Sequence, residues 1–121
     1  MNIALIFPGQ GSQYVGMGLD FYDKSEISKS IFQALNEITD RNLTDLIFFG
    51  SEEELSITTN SQPAIMATSI SIYNFLNGAG IFNNHSISYV AGHSLGEYSA
   101  LVANKSITFE DAVKLLVIRS K

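Results

Sequence analysis

Apolar residues run almost without a break from Asn2 to Phe7, and so short and continuous a run predicts a strand buried on both faces. Pro8 to Gly18 replaces that pattern with glycine and polar residues and predicts a loop. From Ser28 to Ile38 the apolar positions return at helical spacing, at Ile31, Leu35 and Ile38. Leu43 to Phe49 predicts a short second helix, and the polar stretch Ser51 to Thr59 predicts a connection. A long apolar helix follows, capped by Asn60 or Ser61, with Pro63 in its first turn, running through Leu76 to a stop at Gly78. With Ile65, Ile70, Ile72, Tyr73 and Phe75 spread around its circumference, it has to be buried on more than one side. Asn83-Asn84 marks a turn, Ile87 to Ala91 predicts a second strand, and Glu97 to Ala103 predicts a helix. Thr108 with Asp111 resembles a capping box and opens a last helix, Phe109 to Ser120.

The order β-α-α-α-β-α-α implies an α/β fold with a parallel sheet. Two parallel strands do not make a stable sheet, and both faces of such a sheet need cover. The chain therefore reads as a single unit, residues 1–121, that forms the first part of a larger domain, with apolar surface exposed where further strands belong.

Composition narrows the function classes. At 45% apolar and 16% charged residues the chain is globular rather than disordered. Cysteine is absent, which removes disulfides, thiolate metal sites and a cysteine nucleophile, and fits a cytoplasmic protein. No metal site is read. Met1 to Phe7 lacks a basic flank and runs into Pro8-Gly9, so it reads as a strand and not a signal peptide. No apolar run approaches the ~20 residues of a membrane span. The net charge of −5, with seven scattered basic residues, argues against nucleic acid as a partner.

Gly92-His93-Ser94-Leu95-Gly96 is a G-x-S-x-G pentapeptide between the second strand and a helix. That context is the one a nucleophile elbow requires: serine on a strained turn, its hydroxyl projecting, helix N–H groups facing an oxyanion. The bland alternative is a plain strand-to-helix turn. Gly9-Gln10-Gly11-Ser12-Gln13 directly follows the first strand and has three readings. It fits neither phosphate-loop template well, because Tyr14 stands at the third fingerprint glycine and Gly16-Met17-Gly18 where a P-loop has Gly-Lys-Ser/Thr. It can supply a second oxyanion donor, or be a glycine-rich turn without a ligand.

A serine nucleophile needs a base, normally histidine. His85 lies at the far end of the strand that delivers Ser94, roughly 20 Å away. His93 adjoins Ser94, and its side chain should leave the turn on another side. Both read as structural, and no histidine follows Ser94. On a helical wheel at ~100° per residue, the apolar arc runs through Leu115, Ala112, Leu116, Phe109, Val113 and Val117; Arg119 falls between Leu115 and Ala112, while Lys114 and Lys121 fall opposite. Arg119 is either a bidentate partner for a substrate carboxylate or a cation complementing the helix C-terminus. Gln62, just before Pro63, is a helix-terminus polar group or lines the site.

Phe7 to Gln13, Gln62-Pro63-Ala64, Gly92 to Tyr98 and Arg119 occur in order. Together they closely resemble the malonyl-CoA:acyl carrier protein transacylase family, and the resemblance covers Asn2 to Arg119. It implies an incomplete, α/β-hydrolase-like large subdomain with a nucleophile elbow, without the family's ferredoxin-like small subdomain. By that resemblance Ser94 is the acylated nucleophile, and the backbone N–H groups of Gln10 and Leu95 form the oxyanion hole. Arg119 pairs with the malonyl carboxylate, and Gln62 and His93 sit beside the substrate. The implied partners are malonyl-CoA and acyl carrier protein, with no bound cofactor, in the cytoplasm. The family's catalytic histidine, a second site glutamine and the small subdomain belong to a portion not in this sequence, which a C-terminal portion or separate chain would supply. Two other functions remain beside transfer: a serine hydrolase of α/β type, and a non-catalytic or split-enzyme fragment.

Overall fold

A computed structural model describes residues 2–83 and 86–120. The turn read at Asn84, the reading of His85 and the wheel position of Lys121 fall outside those residues. In chain order the elements are β1 (Asn2–Phe7), α1 (Leu19–Lys24), α2 (Glu26–Thr39), α3 (Leu43–Phe49) and α4 (Glu52–Leu55). Then come α5 (Thr58–Gly78), β2 (Ser86–Gly92), α6 (Gly96–Ala103) and α7 (Phe109–Arg119).

β1 and β2 pair in parallel, from Asn2 opposite Ser86 to Phe7 opposite Gly92. A bulge between Ile3 and Ala4 leaves Ser88 unpaired, because Ile3 faces Ile87 and Ala4 faces Tyr89. Leu5, Phe7 and Val90 turn to the core, and Phe7 meets the ring of Tyr73 on α5 edge-on at 6.4 Å. The opposite face is uncovered: Ile6 is 79% exposed and Tyr89 75%. The expectation of a strand buried on both faces therefore holds for one face only, and the apolar surface left exposed is a sheet face.

The core lies among the helices. Phe32 and Leu35 of α2, Ile47 of α3 and Met66 of α5 are fully buried. Tyr22, Phe32 and Phe48 form an aromatic cluster with centroids 5.1 to 6.0 Å apart. α5 is the central support. Residues 60–68 are buried around its whole circumference, as its apolar sequence requires. Ser28 of α2 donates its hydroxyl to the Ser71 carbonyl at 3.2 Å, a polar cross-link buried within the α2–α5 contact.

α5 begins earlier than its capping signals predict. The Ile57 carbonyl accepts from the N–H groups of Asn60 and Ser61, so the helix starts at Thr58 and Pro63 lies inside it. No side chain caps this end. Asn60 bonds elsewhere: its Oδ1 accepts from Arg41 and its Nδ2 donates to the Glu54 carbonyl at 2.9 Å. α1 and α4 were not predicted. α1 is six residues long and only half-buries Leu19 and Tyr22 against the core, too short a stretch to leave a periodic trace, whereas α4 carries a readable signal, Ser51 accepting from the Glu54 N–H at 3.1 Å. The Thr108 cap of α7 is as expected, its hydroxyl accepting from the Asp111 N–H at 3.1 Å.

Candidate active site

Parallel pairing brings the carboxyl ends of β1 and β2 together, the place where open α/β sheets bind ligands. Two loops meet there. The first, after β1, folds back on itself: the Ser12 hydroxyl donates to the Gly9 carbonyl at 2.8 Å, and the Gly11 N–H donates to Gln13 Oε1 at 2.8 Å. The second is the turn from β2 into α6.

That second turn is tight and strained. Ser94 has φ +57°, a left-handed conformation that costs a residue with a Cβ on the order of 1–2 kcal/mol. A Cβ on Gly92 would collide with the Gly96 carbonyl, and one on Gly96 with the Phe7 carbonyl oxygen. Both positions therefore demand glycine for steric reasons. The turn is fixed by His93 N–H to the Phe7 carbonyl at 3.2 Å, Gly96 N–H to the His93 carbonyl at 3.0 Å and Glu97 N–H to the Ser94 carbonyl at 3.0 Å. Ser94 is exposed at the apex, while Leu95 beside it is fully buried.

Arg119 closes the arrangement from α7. Its Nη2 donates to Ser94 Oγ at 2.6 Å, across 25 residues of sequence. Its guanidinium carbon stands 5.4 Å from the Tyr98 ring centroid. Among the described residues the ion pairs are Lys29–Glu26 and Lys114–Glu110, and Arg119 belongs to neither. Its charge thus meets a hydroxyl and a ring face rather than a carboxylate. Arg119 is the last residue of α7, where the helix-terminus reading puts a cation, and its guanidinium is also directed at Ser94. The predicted arc of α7 also shifts: Ala112, Val113 and Leu116 are buried, but Leu115 is 46% exposed.

Gln10 and Gln62 are brought together. Gln62 Nε2 donates to Gln10 Oε1 at 3.4 Å, and Gln10 Nε2 donates to Thr58 Oγ1 at 3.2 Å. Gln62 is 7% exposed, and its Oε1 is a buried acceptor without a protein partner. The backbone N–H groups of Gln10 and Leu95 make no hydrogen bond among the described residues. His93 packs on the first loop: a Cβ on Gly9 would lie 3.1 Å from His93 Nδ1. No histidine hydrogen-bonds Ser94 among the described residues. Thr58 and Tyr98 take part without having been assigned a role from sequence. Tyr98 was findable only as the last residue of the Gly92–Tyr98 segment, because Ser94 precedes α6 in a left-handed conformation and helical spacing does not relate the two.

An apolar groove of about 350 Å³ lies between β1 and α5, lined by Leu5, Phe7, Phe21, Tyr73 and Phe82 among others. Neither Ser94 nor Arg119 lines it. No cluster of metal-ligating side chains, and no helix long and apolar enough to cross a membrane, occurs among the described residues.

Residues 4–121 match the acyl transferase domain family. The chain is 46% identical over 112 residues to the malonyl CoA-acyl carrier protein transacylase of Bacillus subtilis, covering 93% of this chain and 34% of that protein. It superposes on the acyl-carrier-protein-S-malonyltransferase of Bartonella henselae with a TM-score of 0.93 at 38% identity, over 99% of this chain and 38% of the other. A malonyl transacylase solved with a type II polyketide synthase acyl carrier protein matches with a TM-score of 0.91, 38% identity and the same coverage. The chain thus spans about a third of the length of these relatives.

Proposed function

Because the chain belongs to the acyl transferase domain family, we propose that it forms the nucleophile-bearing part of a malonyl-CoA:acyl carrier protein transacylase of fatty-acid synthesis. The observation that carries this is the Arg119 guanidinium on Ser94 Oγ at 2.6 Å. A nucleophile beside an unpaired cation suits an acyl group that itself ends in a carboxylate.

The β2–α6 turn is then a nucleophile elbow. Ser94 Oγ attacks the thioester carbonyl, the oxyanion forms against the N–H groups of Gln10 and Leu95, and the C–S bond breaks. CoA leaves as its thiol, carrying the proton that Ser94 gave up, and Ser94 is left as a malonyl ester. The phosphopantetheine thiol of acyl carrier protein takes the malonyl group in the reverse sense, restoring the serine. The acyl group arrives activated as a thioester, so transfer draws on no cofactor. Arg119 holds the malonyl carboxylate, Gln62 steadies the Gln10 loop and His93 backs it at Gly9. The proton-accepting histidine comes from outside these residues, as does any ferredoxin-like unit, since the sheet described here is parallel and two-stranded. The reaction takes place in the cytoplasm, in keeping with the cysteine-free composition.

Intact mass spectrometry after incubation with malonyl-CoA tests this. A malonyl adduct on the chain and none on Ser94→Ala supports it. No adduct on a chain shown to be folded removes acylation from these residues and leaves a non-catalytic fragment. Discharge of the adduct to water as fast as to an acceptor thiol favours a hydrolase.

A further inference from the structure

Tyr98 closes the Gly92–Tyr98 segment, yet acyl transfer as described above leaves it without a task. Its ring is half-buried and packed against the core, while its face lies 5.4 Å from the guanidinium carbon of Arg119. That same guanidinium reaches Ser94 Oγ. Arg119 is exposed at the last position of α7, where an arginine side chain samples many rotamers. A ring fixed on one side by the core removes most of that freedom on the other. Ser94 lies two residues before α6 and Tyr98 in the first turn of α6, so one strand-to-helix junction carries both the nucleophile and the platform.

We propose that Tyr98 is the positioning residue for Arg119: its ring face holds the guanidinium so that the N–H edge meets the terminal carboxylate of an acyl group at Ser94. The proposal rests on reading Arg119 as the carboxylate clamp. Tyr98 acts through Arg119 and touches no substrate. Only the ring face is required, so phenylalanine replaces it and leucine does not.

Binding of malonyl-CoA and acetyl-CoA is measured by calorimetry on the whole chain carrying Ser94→Ala, which stops turnover. Tyr98→Leu weakens malonyl-CoA roughly two- to five-fold, the range of an exposed cation–π contact, and leaves acetyl-CoA unchanged. Tyr98→Phe restores malonyl-CoA affinity. In the Ser94 chain, NMR finds the Arg119 side-chain protons shifted upfield by the ring with Tyr98 or Phe and released with Leu. Equal weakening of both thioesters by Tyr98→Leu, or none, overturns the proposal. Should Tyr98→Leu not fold, unshifted Arg119 protons in the parent chain overturn it. If Arg119→Ala abolishes the malonyl preference and Tyr98→Leu does not, only the platform fails. If Arg119→Ala leaves the preference intact, the clamp reading fails and this proposal with it.

Discussion

The helical layer and the sheet both carry large apolar side chains, and these end in opposite conditions. Phe32, Leu35, Ile47 and Met66 are fully buried, whereas Ile6 and Tyr89 on the outer sheet face are more than 70% exposed. The helices find their partners within these 121 residues: α2 lies on α5, and α3 closes over the aromatic cluster. The strands have a covering layer on one face only. An apolar pattern shows that a surface needs cover, and whether it is covered depends on another layer being present. Ser94 and Arg119 lie at the seam, where an ordered scaffold ends and exposed surface begins.

Truncation in the helical layer is the hardest test of this contrast. Phe32→Ala should cost about 3–5 kcal/mol in chemical denaturation, through lost transfer energy and a cavity in the aromatic cluster. Ile6→Thr on the bare sheet face should change stability by less than about 0.5 kcal/mol. A large loss there would mean that the outer face is covered in solution. At the seam, under the proposed acyl transfer, Arg119→Ala should reduce a malonyl-over-acetyl preference in acylation of Ser94 by roughly 10- to 100-fold, the value of a charge-assisted bidentate pair. Its melting temperature should barely move, because the side chain is exposed.

Strain at the seam has its own signature. Ser94→Gly should be more stable than Ser94→Ala by about 1 kcal/mol, since glycine accepts φ +57° and alanine does not. Equal stabilities would remove the strain from the turn. Thr108→Ala should cost about 1 kcal/mol through loss of the α7 cap, loosening the helix that carries Arg119. Lys114→Ala gives the smallest effect. Glu110 holds the Lys114 amine above its usual pKa through a 2.9 Å hydrogen bond, but both side chains are largely solvated. No measurable change in melting temperature is expected.

Much of the fold was legible because its signals are local. β1 and α3 have the limits that their apolar runs predict, and Thr108 caps α7. The motif around Ser94 was legible in part for the same reason, since the steric demand at Gly92 comes from Gly96 and Glu97 within the same turn, whereas that at Gly96 comes from the Phe7 carbonyl on the distant first strand. α1 was not legible, because it is six residues long and its core contacts, Leu19 and Tyr22, span less than two turns. The start of α5 was misplaced because the polar side chains expected to cap it are used in tertiary bonds, Asn60 to Arg41 and Glu54.

By itself the sequence determined the order of the elements other than α1 and α4, the parallel pairing it implies, the strained serine and the set of polar residues available to it. Periodicity, capping and turn sterics act over a few residues, and a linear pattern records them. Only the tertiary structure decided that Arg119 reaches Ser94, that Tyr98 lies under that arginine, that Gln10 bridges Thr58 and Gln62, and that one sheet face stays bare. Those outcomes depend on where helices far apart in the chain come to rest against the sheet, and that is settled by packing of the whole core around α5.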